Sequence, residues 1–152
     1  MKILGTILIS AFLFGCGSQE ENSGADVAID TTVVTTTEVE PNPHDLIMID
    51  GQKWVIDEGM RVSIDSIELR MQAFSGTTLA DYEALSGDLK HHTKTVISSC
   101  TMKGQAHDEL HKWLLPFIDL RKELIGITAV EDGEEIATEL NNELTIFNTY
   151  FK

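Results

Sequence analysis

The chain has 152 residues, with 25 acidic against 11 basic side chains and a formal net charge of −14. Such a surface repels nucleic acid and anionic lipid headgroups. Two cysteines are too few for a disulfide framework, and the length allows one domain beside a targeting segment.

The amino end reads MKILGTILISAFLFGCGSQEENSG. Lys2 supplies a short basic start, and an apolar run extends from Ile3 to Phe14. That run is too short to span a bilayer comfortably and has the form of a signal-peptide h-region. Leu13-Phe14-Gly15-Cys16 resembles the lipobox of bacterial lipoproteins. The resemblance implies cleavage before Cys16, a diacylglycerol thioether on Cys16, and acylation of the new amino terminus. Several acyl chains make a stable anchor, since each buried methylene adds about 0.8 kcal/mol. Gly17, in place of the aspartate of inner-membrane lipoproteins, implies the outer membrane. Ser18-Gln19-Glu20-Glu21 resembles the acidic export tags of Bacteroidetes-type bacteria, and Asp30-Thr31-Thr32 resembles their O-glycan acceptor motif. The expected location is therefore an outer-membrane lipoprotein facing the periplasm or the cell surface. Its expected partner is the membrane, through the lipid anchor, and not nucleic acid. With Cys16 lipidated, Cys100 has no partner within the chain.

Residues 16–45 are rich in Ser, Gly, Asn, Glu and Thr and show neither helical nor strand periodicity. They read as a lipidated, disordered tether following a signal peptide at 1–15. The domain is expected over 46–152. Asp50-Gly51 lies between two apolar runs and suggests either a short β-hairpin leaning on the helices or an irregular lead-in to the first helix.

From Ile56 the period changes. Ile56, Met60, Ile64, Ile67, Met71 and Phe74 recur at helical spacing, with Asp57 placed to cap the start. Ser75-Gly76-Thr77 breaks this helix. A second begins near Thr78, with Asp81 completing a near capping box. Its stripe is Tyr82, Leu85, Leu89, His92, Val96 and Ser99/Cys100. A third stripe is Leu110, Leu114, Phe117 and Leu124, with Arg121 and Lys122 near the carboxyl end where the helix dipole favours them. Pro116 inside it predicts a kink, and Gly126 a stop. The fourth helix is expected to start at Asp132, with Glu135 at capping-box distance, and to bury Ile136, Leu140, Leu144, Phe147 and Phe151. Short connections between four amphipathic helices predict an all-α, antiparallel four-helix bundle.

The chemistry concentrates in CTMKGQAHDELHKW, from Cys100 to Trp113. On one continuous helix, Cys100 and His107 would align yet stand about 10 Å apart along the axis. A single metal ion could not reach both, since ligands lie about 2.0–2.3 Å from it. Gly104 is a poor interior helix residue, at about 1 kcal/mol relative to alanine, so a turn through 101–106 is expected instead. It would bring the Cys100 thiol towards His107, while His107 and His111, one turn apart, form a chelating pair. Two imidazoles, a thiolate and the Met102 thioether suit a soft ion, copper or zinc. The predicted metal site is thus Cys100, Met102, His107 and His111, on a binding module rather than an enzyme.

Three alternatives remain. The cluster shapes the bundle end of a structural or protein-interaction lipoprotein and holds no metal. His107-Asp108-Glu109-Leu110-His111 nearly matches the H-E-x-x-H helix of zinc proteases. There Asp108 replaces the catalytic glutamate, and Glu131 stands where some members place a third ligand. A b-type haem could use Met and His, with His92 on the apolar stripe, although no C-x-x-C-H is present.

The span from Gly51 onward resembles small envelope proteins of Bacteroidetes-type bacteria. They share GQKW, helices, and then C-x-M-x-G-x-x-H-D-x-L-H-x-W-L-x-P, matched here by Cys100, Met102, Gly104, His107, Asp108, Leu110, His111, Trp113, Leu114 and Pro116. This resemblance implies a fold rather than an activity.

Overall fold

The computed structural model describes residues 43–152, which fall within one compact unit. The signal peptide, Cys16 and nearly all of the expected tether lie outside the described residues. Four helices follow in order: α1 (Glu58–Gln72), α2 (Leu79–Ser99), α3 (Gln105–Glu123) and α4 (Val130–Tyr150). No strand is present among the described residues. α1 packs most closely on α2, and α3 on α4. Ser86 near the start of α2 meets Arg121 near the end of α3, and Arg61 near the start of α1 lies over Phe147 near the end of α4. These contacts run the neighbouring helices in opposite directions, as short connections require.

The predicted apolar stripes meet in one core. Trp113, Tyr82, Phe117, Phe147, Phe151 and Met60 are its largest fully buried side chains. Trp113 lies 4.6 Å from Phe147, and Phe147 stacks on Phe151 at 5.0 Å, centroid to centroid. The Trp113 indole N–H donates to the Glu143 carbonyl at 2.7 Å, so the largest ring enters the core without an orphan donor.

Several local features differ from what the periodicity predicts. Thr93, rather than His92, takes the inward position in α2, and its hydroxyl donates to the Leu89 carbonyl at 2.9 Å. α4 starts two residues before Asp132, behind Ala129, which makes no side-chain cap. Glu131 and Asp132 instead sit in its first turn, where the dipole favours negative charge. Ile136 is only half-buried. Arg121 stands in the last turn of α3, as expected, and is buried at 6% exposure. Burial pulls its guanidinium pKa down, with Asp119 opposing. Its Nη1 reaches the Ser86 hydroxyl at 3.4 Å, while its Nε meets no acceptor.

At the start of α2 the expected pairing holds. Thr78 and Asp81 form a full capping box. Hydrogen bonds from the Thr78 hydroxyl and from the Thr77 and Thr78 backbone hold the Asp81 carboxyl below its ordinary value. The stabilisation is present above the ordinary aspartate range and is lost as pH falls through the lowered value.

The lead-in to α1 is docked, not loose. Asp50 and Gly51 both have positive φ, 51° and 71°, and the Gln52 N–H donates to the Ile49 carbonyl at 2.8 Å. The Asp-Gly turn thus carries a single bridge, Ile49 to Gln52. The chain then pairs with its far end: the Trp54 and Ile56 N–H groups donate to the Tyr150 and Lys152 carbonyls, and the Lys152 N–H to the Trp54 carbonyl. Among the described residues, contact with the bundle is made from His44, two residues before the expected boundary. His44 Nε2 meets Glu143 Oε1 at 2.7 Å, Lys112 donates to the Asp45 carbonyl at 2.9 Å, and Leu46 is buried. The Ile47 N–H donates to Glu109 Oε2 at 3.0 Å, and Lys112 Nζ meets Glu109 Oε1 at 2.9 Å.

Two substitutions test this packing. Gly133 lies against the Tyr82 ring so closely that an added Cβ would stand 2.7–2.8 Å from ring atoms. Gly133→Ala is therefore expected to cost about 1–3 kcal/mol in urea unfolding, and the double variant with Tyr82→Leu should recover part of it. Glu109→Ala leaves the Ile47 amide without its charged acceptor, and a loss of about 2–3 kcal/mol is expected. Hydrogen exchange should then quicken at the Ile47 amide before it does at Trp113.

Candidate functional site

The chain between α2 and α3 turns at the glycine, as the cost of Gly104 inside a helix requires. α2 ends at Ser99, Cys100 is its extended C-cap residue, and α3 opens behind Gly104. Gly104 adopts φ 62° and ψ −148°, a region open essentially to glycine alone. The turn is also tied from outside. The Asp57 carboxylate does not cap α1; it accepts the Thr101 hydroxyl at 2.9 Å and the Thr101 N–H at 2.6 Å. The start of α1 thereby holds the connection whose first residue is Cys100.

α3 then carries His107 and His111 on one face. Their rings lie 4.4 Å apart at 62°, and their Nε2 atoms face each other at 3.1 Å. A hydrogen bond at that distance joins one protonated nitrogen to one bare nitrogen. A tetrahedral ion with ligands at about 2.0–2.1 Å would hold two nitrogens about 3.3 Å apart, so the same pair is close to chelating geometry.

Both imidazoles and Cys100 line one partly enclosed pocket of about 190 Å³ between α2 and α3. The rest of its wall is aliphatic: Val96 and Ile97 from α2, and Leu110, Leu114, Leu115 and Ile118 from α3. Met102 is not part of that wall; it is half-buried against the core. Asp108 and Glu131 are exposed. Among the described residues, no group of three or more His, Cys, Asp or Glu side chains is arranged to hold a metal ion. The structure thus brings two nitrogen donors together and sets the thiol on the same wall.

Half of the aliphatic wall, Val96, Leu110 and Leu114, belongs to the predicted stripes. The other half does not: it is Ile118 and, following Val96 and Leu114 in the chain, Ile97 and Leu115. Ile97 and Leu115 remain more than half exposed, at 55% and 54%. The Asp57–Thr101 tie carries no sequence signal, because its partners are 44 residues apart.

Gly104→Ala is expected to lower stability by about 1–3 kcal/mol through backbone strain alone, since a Cβ there meets nothing within 4 Å. Asp57→Ala should cost less than that in global unfolding, yet selectively speed hydrogen exchange at Thr101. An equal loss of protection along the whole of α2 would contradict a local tie.

Compared with known proteins, the chain matches no family model, no curated protein and no solved structure.

Proposed function

We propose that the chain is a lipid-anchored binding module of the bacterial envelope that holds a soft metal ion, copper(I) or zinc, at the turn between α2 and α3. The observation that carries this reading is the pair of Nε2 atoms 3.1 Å apart on one helix face, in a pocket that also includes Cys100. His107 and His111 form the chelating pair. The Cys100 side chain turns within the pocket to become the third donor, as a thiolate. Met102, two residues on, packs against the core rather than on this wall and is not one of the donors. The lipid anchor rests on the lipobox at Cys16, and the acidic exterior keeps the module soluble beside the membrane.

The soluble domain, purified without the anchor, is expected to take up one equivalent of copper(I) or zinc. Joint replacement His107→Ala and His111→Ala should abolish binding. Cys100→Ser should weaken copper(I) by at least about tenfold, or about 1.4 kcal/mol. A domain that stays metal-free after incubation with both ions would end the metal reading. For the anchor, Cys16→Ala should move the full chain from the detergent phase to the aqueous phase.

A metal-free interaction module is favoured by one observation, the exposed Ile97 and Leu115 at the pocket rim. In that case Ile97→Ser would abolish partner binding, whereas His107→Ala would leave it unchanged.

A further inference from the structure

We infer that the pocket between α2 and α3 is a site for a small apolar alcohol or phenol, with its apolar body among the aliphatic side chains and its hydroxyl bridging His107 and His111. This inference concerns the same pocket but does not rest on the metal reading, because it uses the imidazole pair without an ion.

Size and lining fit such a ligand. An apolar cavity of about 150 Å³ admits benzene, and this pocket measures about 190 Å³. Six aliphatic side chains form most of its wall. Three other pockets are more polar. One sets Arg70, Ser75 and Asp81 beside Phe74, another Glu68, Asn141 and Asn148 beside Leu144, and a third Glu134, Thr138 and Asn141 beside Met71 and Tyr82. A cleft with an apolar body and a few convergent polar groups is the usual form of a small-molecule site.

The imidazole pair selects the head group. It offers one N–H donor and one bare nitrogen, as its 3.1 Å contact requires. A hydroxyl donates one hydrogen bond and accepts another through a single oxygen, so it can replace the N–H···N contact by two bonds. An ether oxygen only accepts, and a hydrocarbon does neither. With each O···N separation at about 2.8 Å and a near-tetrahedral angle at oxygen, the two nitrogens stand about 4.6 Å apart. The rings must therefore part by about 1.5 Å. His111 is exposed and has room to swing, while the half-buried His107 stays. No proton is gained or lost, and no bond other than hydrogen bonds is made or broken.

The test is an amide NMR titration of the soluble domain in the presence of a chelator, with phenol, anisole and toluene as probes. Phenol is expected to shift Val96, Ile97, Leu114 and Leu115 and to bind about tenfold more tightly than anisole, the effect of one further hydrogen bond. In His111→Ala that margin should vanish while anisole binding is kept. The substitution lies at an exposed position, and circular dichroism reports whether the fold is retained. Equal affinities for phenol and anisole in the wild-type domain would overturn the hydroxyl bridge. Shifts confined to other parts of the bundle, or none, would overturn the site. Failure of copper and zinc to bind leaves this result unaffected, and failure of phenol to bind leaves the metal titration standing.

Discussion

Glu109 and Glu143 lie on the buried faces of α3 and α4, at 3% and 7% exposure, where an unpaired carboxylate would be costly. Each is matched by groups from the segment that enters the bundle: the Ile47 amide for Glu109 and the His44 ring for Glu143, with Lys112 sharing Glu109. One oxygen of Glu143 still meets no hydrogen-bond partner. These pairs do more than secure a lead-in. Successive helix residues advance about 100°, so His107 and His111 both fall roughly 160° from Glu109 and about 40° from each other. Turning Glu109 towards the entering segment therefore turns both imidazoles towards the end of α2. The rotation of α3 that satisfies a buried charge is the rotation that builds the pocket.

Helical periodicity made four elements legible because a core of this size is filled by stripes, and Leu85, Leu89, Leu110, Leu114, Phe117, Leu140 and Phe147 all lie where their spacing puts them. The Thr78–Asp81 cap was equally readable, since its partners are three residues apart. The turn at Gly104 was legible for a related reason: a glycine in a polar stretch between two stripes costs a helix more than it costs a loop. Periodicity does not decide where two candidates on neighbouring positions compete for the same face. His92 and Thr93 both border the stripe of α2, and the smaller residue, able to bond its own helix backbone, goes inside. Nor does a local pattern reveal a remote partner. Asp57 has the residue type and place of a helix cap, but the Thr101 amide and hydroxyl outcompete the local N–H groups for its carboxylate.

The pocket residues show the same division. His107 and His111 were visible as an i, i+4 pair, and their approach follows from helix geometry alone. Whether Cys100 joins them depends on the path of residues 100–104, which the Asp57 tie and the Gly104 backbone set together. The off-stripe residues Ile97, Leu115 and Ile118 are visibly apolar in the sequence, but that they border a gap between α2 and α3 is a tertiary property. A soft ion and a hydroxyl would draw on the same nitrogen lone pair, so the two occupants exclude one another at the imidazoles.

Tyr82 resting on Gly133 has a consequence for the mechanics of the bundle. That contact joins α2 to α4, which are not successive in the chain, and it does so near the beginning of both helices. Val96, Ile97 and Cys100 lie at the other end of α2, roughly 21–27 Å away along its axis. One end of α2 is thus wedged against a helix it does not follow, and the other borders an unfilled space. The end beside that space is held as well, through the Asp57–Thr101 tie to α1. α2 is thus gripped by α4 at one end and by α1 at the other, so its side of the pocket is set by two helices that do not line it.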